Sequence, residues 1–211
     1  MYPWVFALVI IVLLWLVVNW LFIRPAAAEF NKLAREAMER QALKRHGGLT
    51  IAQRMPALSI PCKTTTIDLG YISNNDDLSQ EYTYARFRTE HFPDKKFSMH
   101  VNSKDFFTKP LAIGTRVELV DESLREKYVV TGNDASFVNR LLTDEVREKL
   151  LQKPLHVKFG RRIDSSTLSR ERGWLTVFSQ GNRAEDELFD ALIETASLFY
   201  ERLEALSTAG E

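Results

Sequence analysis

Few side chains in this sequence are types that do chemistry, and their spacing is sparse. The four histidines are His46, His91, His100 and His156. None stands at an HxxxH or CxxC-like distance from another histidine or from the lone Cys62, so no metal-ligand set emerges. His91 and His100 can meet across a hairpin, but they read as surface histidines. Cys62, beside Pro61, reads as a small linker or buried residue rather than an activated thiol, and a single cysteine forms no internal disulfide. The nine glycines are scattered and make no phosphate loop, and no GxSxG-like nucleophile setting occurs. The carboxylate runs Asn74 to Asp77 and Glu185 to Glu187 read as a solvated loop and a helix start, not as paired catalytic acids. The sequence therefore implies no catalytic residue, no metal and no cofactor.

One cluster has the composition of a binding site. Lys153, Lys158, Arg161, Arg162, Arg170 and Arg172 fall within a short stretch interrupted only by Asp164 and Glu171, with Ser165, Ser166, Thr167 and Ser169 supplying hydroxyls. Lys158, Arg161, Arg162, Arg170 and Arg172 would hold phosphate or an anionic headgroup at the tip of a hairpin. The competing reading is a solvated hairpin. Nucleic acid is not expected as a partner: residues 55 to 211 carry an excess of acid and show no basic face.

The element that must position any such site is the beginning of the chain. From Tyr2 to Ile23 no residue is charged. An α-helix of that length rises about 33 Å, enough to cross a hydrocarbon core about 30 Å thick. Trp4 and Trp20 lie near its ends, where indole rings settle at the headgroup level. Lys+Arg and Asp+Glu number 28 each, yet the balance is uneven. Seven Lys/Arg against three Asp/Glu lie between Arg24 and Arg54. A basic collar beside an apolar span stays cytoplasmic. The expectation is a single-pass cell-membrane protein with its N-terminus outside. A cleaved signal peptide is the rival, with Ala26-Ala27-Ala28 as the small-residue site, but the run lacks a positive n-region and exceeds the usual apolar core.

Past the span the expected organisation is a basic juxtamembrane helix over 24–48, a linker over 49–61 and a soluble α+β domain over 62–207. Phe30, Leu33, Ala37 and Met38 recur at helical steps, and Gly47-Gly48 stops the helix. That helix serves either as a stalk or as an amphipathic helix on anionic lipid. Strands are expected at 81–90, at Phe97-Met99-Val101, at Val117–Val120 and Lys127–Val130 around a charged turn, and at 155–159 and 174–178. Asp134 and Thr143 are helix caps. Asn182 with Glu185 resembles a capping box, and it opens a long helix with Leu188, Leu192, Thr195, Phe199 and Leu203 on one face. The fold class is α+β: an N-terminal transmembrane helix and stalk, then an antiparallel sheet with helices on one face and a long C-terminal helix.

The run Lys127-Tyr128-Val129-Val130-Thr131-Gly132-Asn133-Asp134, followed by Val138-Asn139-Arg140-Leu141-Leu142-Thr143 and by Trp174-Leu175-Thr176-Val177-Phe178, resembles a strand-and-helix module of uncharacterised prokaryotic membrane-associated proteins of the DUF3137 type. The resemblance implies no activity and supplies no site residue. The expected function is binding or scaffolding at the membrane, with the lipid bilayer and a protein as partners. The alternatives are a membrane-tethered enzyme acting on a lipid or small anionic substrate, and a structural subunit of a larger membrane complex. Replacing Leu13 and Leu14 together by Arg places two charges near the span centre, each costing about 2.5–3.5 kcal/mol. The variant is expected to leave the membrane fraction on carbonate extraction; its retention there contradicts the span.

Overall fold

The computed structural model describes residues 3–52, 55–73, 81–92, 96–104, 115–160 and 172–208. It contains one long N-terminal apolar helix, a nine-stranded antiparallel sheet and a long C-terminal helix. Helix α1 spans Pro3–Val18. A π-helical turn over Asn19–Ile23 follows, and α2 runs from Arg24–Arg45 without an intervening loop. Pro25 accounts for the π turn. A proline ring clashes with the carbonyl one turn back and removes an N–H, so a helix that continues through it must widen or kink. Here the Arg24 N–H reaches back to the Asn19 carbonyl, the wider spacing of a π-bulge.

The strands are β1 (Gly48–Ala52), β2 (Met55–Cys62), β3 (Thr65–Ser73), β4 (Glu81–Arg88), β5 (Met99–Ser103), β6 (Thr115–Arg116), β7 (Tyr128–Gly132), β8 (His156–Gly160) and β9 (Trp174–Gln180). Their order across the sheet is β1-β2-β3-β4-β9-β8-β5-β7-β6. The β8–β9 hairpin is thus inserted between β4 and β5. The remaining helices are α3 (Glu122–Lys127), α4 (Ala135–Leu141), α5 (Asp144–Gln152) and α6 (Asp186–Thr208).

Alternate residues of each strand build one core with the helices. Leu58, Ile60, Ile67, Leu69, Ala85, Phe87, Val157, Phe159, Leu175 and Val177 pack into it with Ala37 and Met38 of α2 and with Leu192, Ala196 and Phe199 of α6. Phe97, Met99 and Val101 are all buried, as their alternation requires. Phe97 meets Phe137 of α4 edge-on at 5.0 Å between ring centroids. Tyr128 closes the far side by donating its hydroxyl to the Leu150 carbonyl at 2.6 Å.

Several expectations change. The stretch read as a linker, 49–61, supplies β1 and most of β2, because Leu58 and Ile60 alternate with smaller residues and are needed under α2. The charged turn Asp121 to Glu126 is instead helix α3, with the Asp121 carboxylate accepting the Leu124 N–H at 2.7 Å. Val117–Val120 forms no strand; β6 is confined to Thr115–Arg116 just before it. The C-cap of α2 is His46, at φ 53°, and the Gly47 N–H bonds the Ala42 carbonyl at 3.0 Å. Gly47 is needed for space: a Cβ there would lie 2.9 Å from both Leu58 Cδ1 and the Ser59 carbonyl. Helix α6 begins at Asp186 and its first bonds run to the Glu185 carbonyl, so Asn182 does not cap it. The caps at Asp134 and Thr143 form as the sequence indicates.

Helix α2 is neither a bare stalk nor free to lie on lipid. Ala34, Ala37, Met38 and Gln41 are buried, and Phe30 packs edge-on against Tyr71 at 5.4 Å. Its cations meet an acidic stripe on α6 spaced at four-residue steps. Arg40 pairs with Asp186 at 2.8 Å, Lys44 and Arg45 with Asp190 at 2.8 and 2.7 Å, and Arg45 with Glu194 at 3.6 Å. Glu194 also receives Lys149 of α5 at 2.7 Å. Burial alone would raise the Asp190 carboxyl, but the hydrogen bonds from Lys44 and Arg45 outweigh it and hold it below the usual range.

Met38→Ala is expected to cost about 2–5 kcal/mol through lost burial and a cavity. Leu43→Ala, at a side chain 81% exposed on the same helix, should stay within about 0.5 kcal/mol. Urea unfolding of the detergent-solubilised chain distinguishes the two; equal effects would show that α2 does not pack on the sheet.

Candidate functional site on the polar sheet face

The face of the sheet turned away from the helices is where the structure gathers its polar and aromatic groups. The strand residues that alternate with the core point here. Read by register across the sheet, Ser59 stands opposite Asp68, Asp68 opposite Arg86, and Arg86 opposite Thr176. Thr176 stands opposite Lys158, Lys158 opposite His100, His100 opposite Thr131, and Thr131 opposite Arg116. One unbroken polar row therefore crosses eight strands. Ser59 donates its hydroxyl to Asp68 Oδ1 at 2.8 Å, and Asp68 Oδ2 lies 4.0 Å from Arg86 Nε.

Arg86 is only 7% exposed, an uncommon place for a charge unless it is compensated. Its Cζ lies 4.7 Å from the Tyr84 ring centroid and 5.2 Å from that of Trp174. A desolvated cation over aromatic faces gains about 2 kcal/mol, which the half-exposed Asp68 at 4.0 Å supplements only modestly. The Tyr84 ring lies over Gly70, on the strand opposite: a Cβ there would fall 3.0 Å from the Tyr84 hydroxyl. Tyr82 meets Phe178 edge-on at 5.2 Å, and Phe178 stacks on His156 at 5.2 Å.

His100 is buried, not a surface residue as its sequence setting suggests, and His156 is buried as well. Burial lowers both to about 4, and the Lys158 charge adds to the effect at His100. Both rings are thus neutral near pH 7. The Ser103 N–H donates to His156 Nδ1 at 3.3 Å, a bond that protonation of that nitrogen would remove.

Of the basic cluster singled out in the sequence, Lys158 belongs to this row and is half-buried, beside Thr176 and His100. Arg172 is exposed, just before β9. Lys153 is drawn to the other side of the fold, to Glu187 of α6 at 3.5 Å. Arg161, Arg162 and Arg170 lie outside the described residues, as does the Asn74 to Asp77 loop. Arg86 and Tyr84 fall in a stretch read as a strand without a face, and His156 was weighed only for metal-ligand spacing. The signal was present: Tyr82, Tyr84, Arg86 and Arg88 alternate with Thr83, Ala85 and Phe87.

Elsewhere the chemistry is thin. Cys62 Sγ lies 4.0 Å from the Ser197 hydroxyl, and burial pushes its thiol up, away from the reactive thiolate. A cleft of about 460 Å³ beside α5 is lined by Asp144, Arg147 and Glu148, of which Arg147 already pairs with Asp144 at 3.0 Å. Among the described residues no group of three His, Cys, Asp or Glu is placed to hold a metal ion. No family model matches this chain, and no curated protein matches it in sequence. The functional reading thus rests on the chain's own residues.

The two histidines carry a pH prediction. Their folded values lie below the unfolded value of 6.5, so the unfolded chain binds protons first as pH falls. Stability from this source is complete above about pH 6.5 and is lost as pH drops toward about 4, by at most about 3 kcal/mol per histidine. His156→Gln keeps an acceptor for Ser103 and cannot titrate. It should remove about half of that fall in urea titrations run from pH 7 to pH 4. A pH profile identical to that of the unmodified chain would show that His156 takes up its proton alike in the folded and unfolded chain.

Proposed function

We infer that this chain is a single-pass membrane-anchored protein whose cytoplasmic domain binds or scaffolds a partner at the membrane. The observation that carries the reading is the unbroken helix from Pro3 to Arg45. Its first part is long and apolar enough to cross a bilayer, and none of that apolar stretch is buried in the protein. Its second part is built into the domain through Met38 and the ion pairs to α6. A leader destined for cleavage after Ala28 would be cut from a helix that roofs the sheet, which favours an anchor over a signal peptide.

The continuity also suits scaffolding. A domain fused to its span by a rigid helix is held at a fixed height, because Phe30 touches Tyr71 only six residues, about 9 Å of helix rise, beyond Arg24. The orientation follows from charge during insertion. Arg40, Lys44 and Arg45 are paired with acids in the folded protein, but those acids come late in the chain, so the collar is still unpaired when the span inserts.

A reporter fused after Glu211 is expected to be active only in its cytoplasmic form, and external protease should leave the domain intact in spheroplasts. Digestion of the domain from outside would reverse the orientation, and a mature N-terminus near Glu29 would replace the anchor by a cleaved leader.

A further inference from the structure

We propose that the groove at the C-terminal end of the apolar helix, lined by Leu16, Asn19, Trp20 and Arg24, is a binding site for a phospholipid of single negative charge. The site rests on the membrane anchor inferred above and gives that anchor a ligand. The groove has a volume of about 370 Å³, and the π turn is what builds it. In a regular helix Arg24, five residues after Asn19, would stand about 140° round the axis from it. The wider turn over Asn19–Ile23 instead sets the Arg24 N–H on the Asn19 carbonyl, and both residues line one groove. Single π turns inside helices recur at functional sites for this reason: they realign side chains that α spacing would part.

Each residue supplies one part of such a site. Arg24 is exposed and makes no ion pair among the described residues, and the first acid of the chain, Glu29, comes only after it. Long helical side chains lean back over the preceding turn, which carries the guanidinium toward Asn19 and Trp20. A guanidinium matches phosphate oxygens two at a time. Asn19 is the one amide between Tyr2 and Ile23; it is half-buried and has no hydrogen-bond partner among the described residues. An amide without a partner is costly beside hydrocarbon, and a phosphate or ester oxygen accepting its N–H recovers that cost. Trp20 is exposed and offers an indole N–H at headgroup depth. Leu16 lies eight residues before Arg24, about 12 Å toward the middle of the apolar stretch, the direction a lipid's chains take from its phosphate. No carboxylate lines the groove, so one guanidinium meets one lipid charge. A zwitterionic lipid brings its own ammonium to compete for that phosphate, which favours a monoanionic lipid such as phosphatidylglycerol.

The test uses the full chain in detergent micelles and counts bound lipid by native mass spectrometry. Phosphatidylglycerol and phosphatidylcholine with the same acyl chains are added in equal amounts. One charge-assisted pair should make the chain retain phosphatidylglycerol about tenfold better. Arg24→Gln should bring the two lipids to near parity. Asn19→Leu changes no charge and should lower the preference about threefold. Lys32→Gln removes an exposed charge further along α2, outside the groove, and should keep the preference. Three results overturn the proposal: no preference in the unmodified chain, an undiminished preference in Asn19→Leu, or equal losses from Arg24→Gln and Lys32→Gln, which would assign the attraction to the diffuse charge of the collar. Carbonate extraction of the same chain from membranes is scored separately. Extraction with the micelle preference intact strikes the anchor and leaves the site, whereas a resistant chain without the preference strikes the site and leaves the anchor.

Discussion

The helix that begins as an apolar stretch long enough to cross a membrane ends as part of the roof of the sheet, and that continuity constrains the rest of the fold. The first part carries apolar side chains on every side. The roof needs one apolar stripe and a polar back. The chain meets both demands without a break by changing composition at Arg24 and absorbing Pro25 in a π turn. Helix α6 must then lie beside α2, and its Asp186, Asp190 and Glu194 at successive turns meet Arg40, Lys44 and Arg45. These pairs are partly exposed, so each is worth little alone. Their main effect is to fix the register of one helix against the other, while burial of Met38, Leu58 and Ile60 supplies the larger share of the stabilisation.

The sheet divides its labour between its faces. The helix side is filled by Leu, Ile, Val and Phe and reads as an ordinary core. The side away from the helices carries Arg86 between two aromatic rings, two neutral histidines and a row of hydroxyls and cations, most of them buried. Burying this many polar groups is unfavourable unless they are paired or serve a ligand. Asp68 and the rings answer for Arg86, and the Ser103 N–H answers for His156.

Much of the architecture is legible in the residues because the signals are periodic. The apolar span, the buried face of α6 from Leu188 to Leu203, the strand alternation at Phe97-Met99-Val101 and the caps at Asp134 and Thr143 all follow from local rules that tertiary context leaves intact. The linker at 49–61 was misread because Pro56 and Pro61 look like breaks. Both sit in β2, and Leu58 and Ile60 between them carry the strand's buried face. Helix α3 was missed because six residues are too few to show a period, and only the Asp121 cap marks it. The polar row was invisible for a different reason. Its members come from eight strands scattered along the chain, and only the non-local pairing of β4 with β9 and of β5 with β8 lines them up. Of the basic candidates Lys158, Arg161, Arg162, Arg170 and Arg172, only Lys158 and Arg172 lie among the described residues.

The central claim is that α2 belongs to the domain rather than to a free stalk. Hydrogen exchange of the full chain in nanodiscs, read by mass spectrometry, addresses it most directly. A helix docked by buried side chains opens only with the unit it packs on, whereas an undocked one frays locally. The account expects the amides from Ala37 to Lys44 to be protected to the same order as those of Leu192 to Phe199 in α6, and both sets to lose protection together as urea is added. Fast exchange in α2 while α6 remains protected would contradict it.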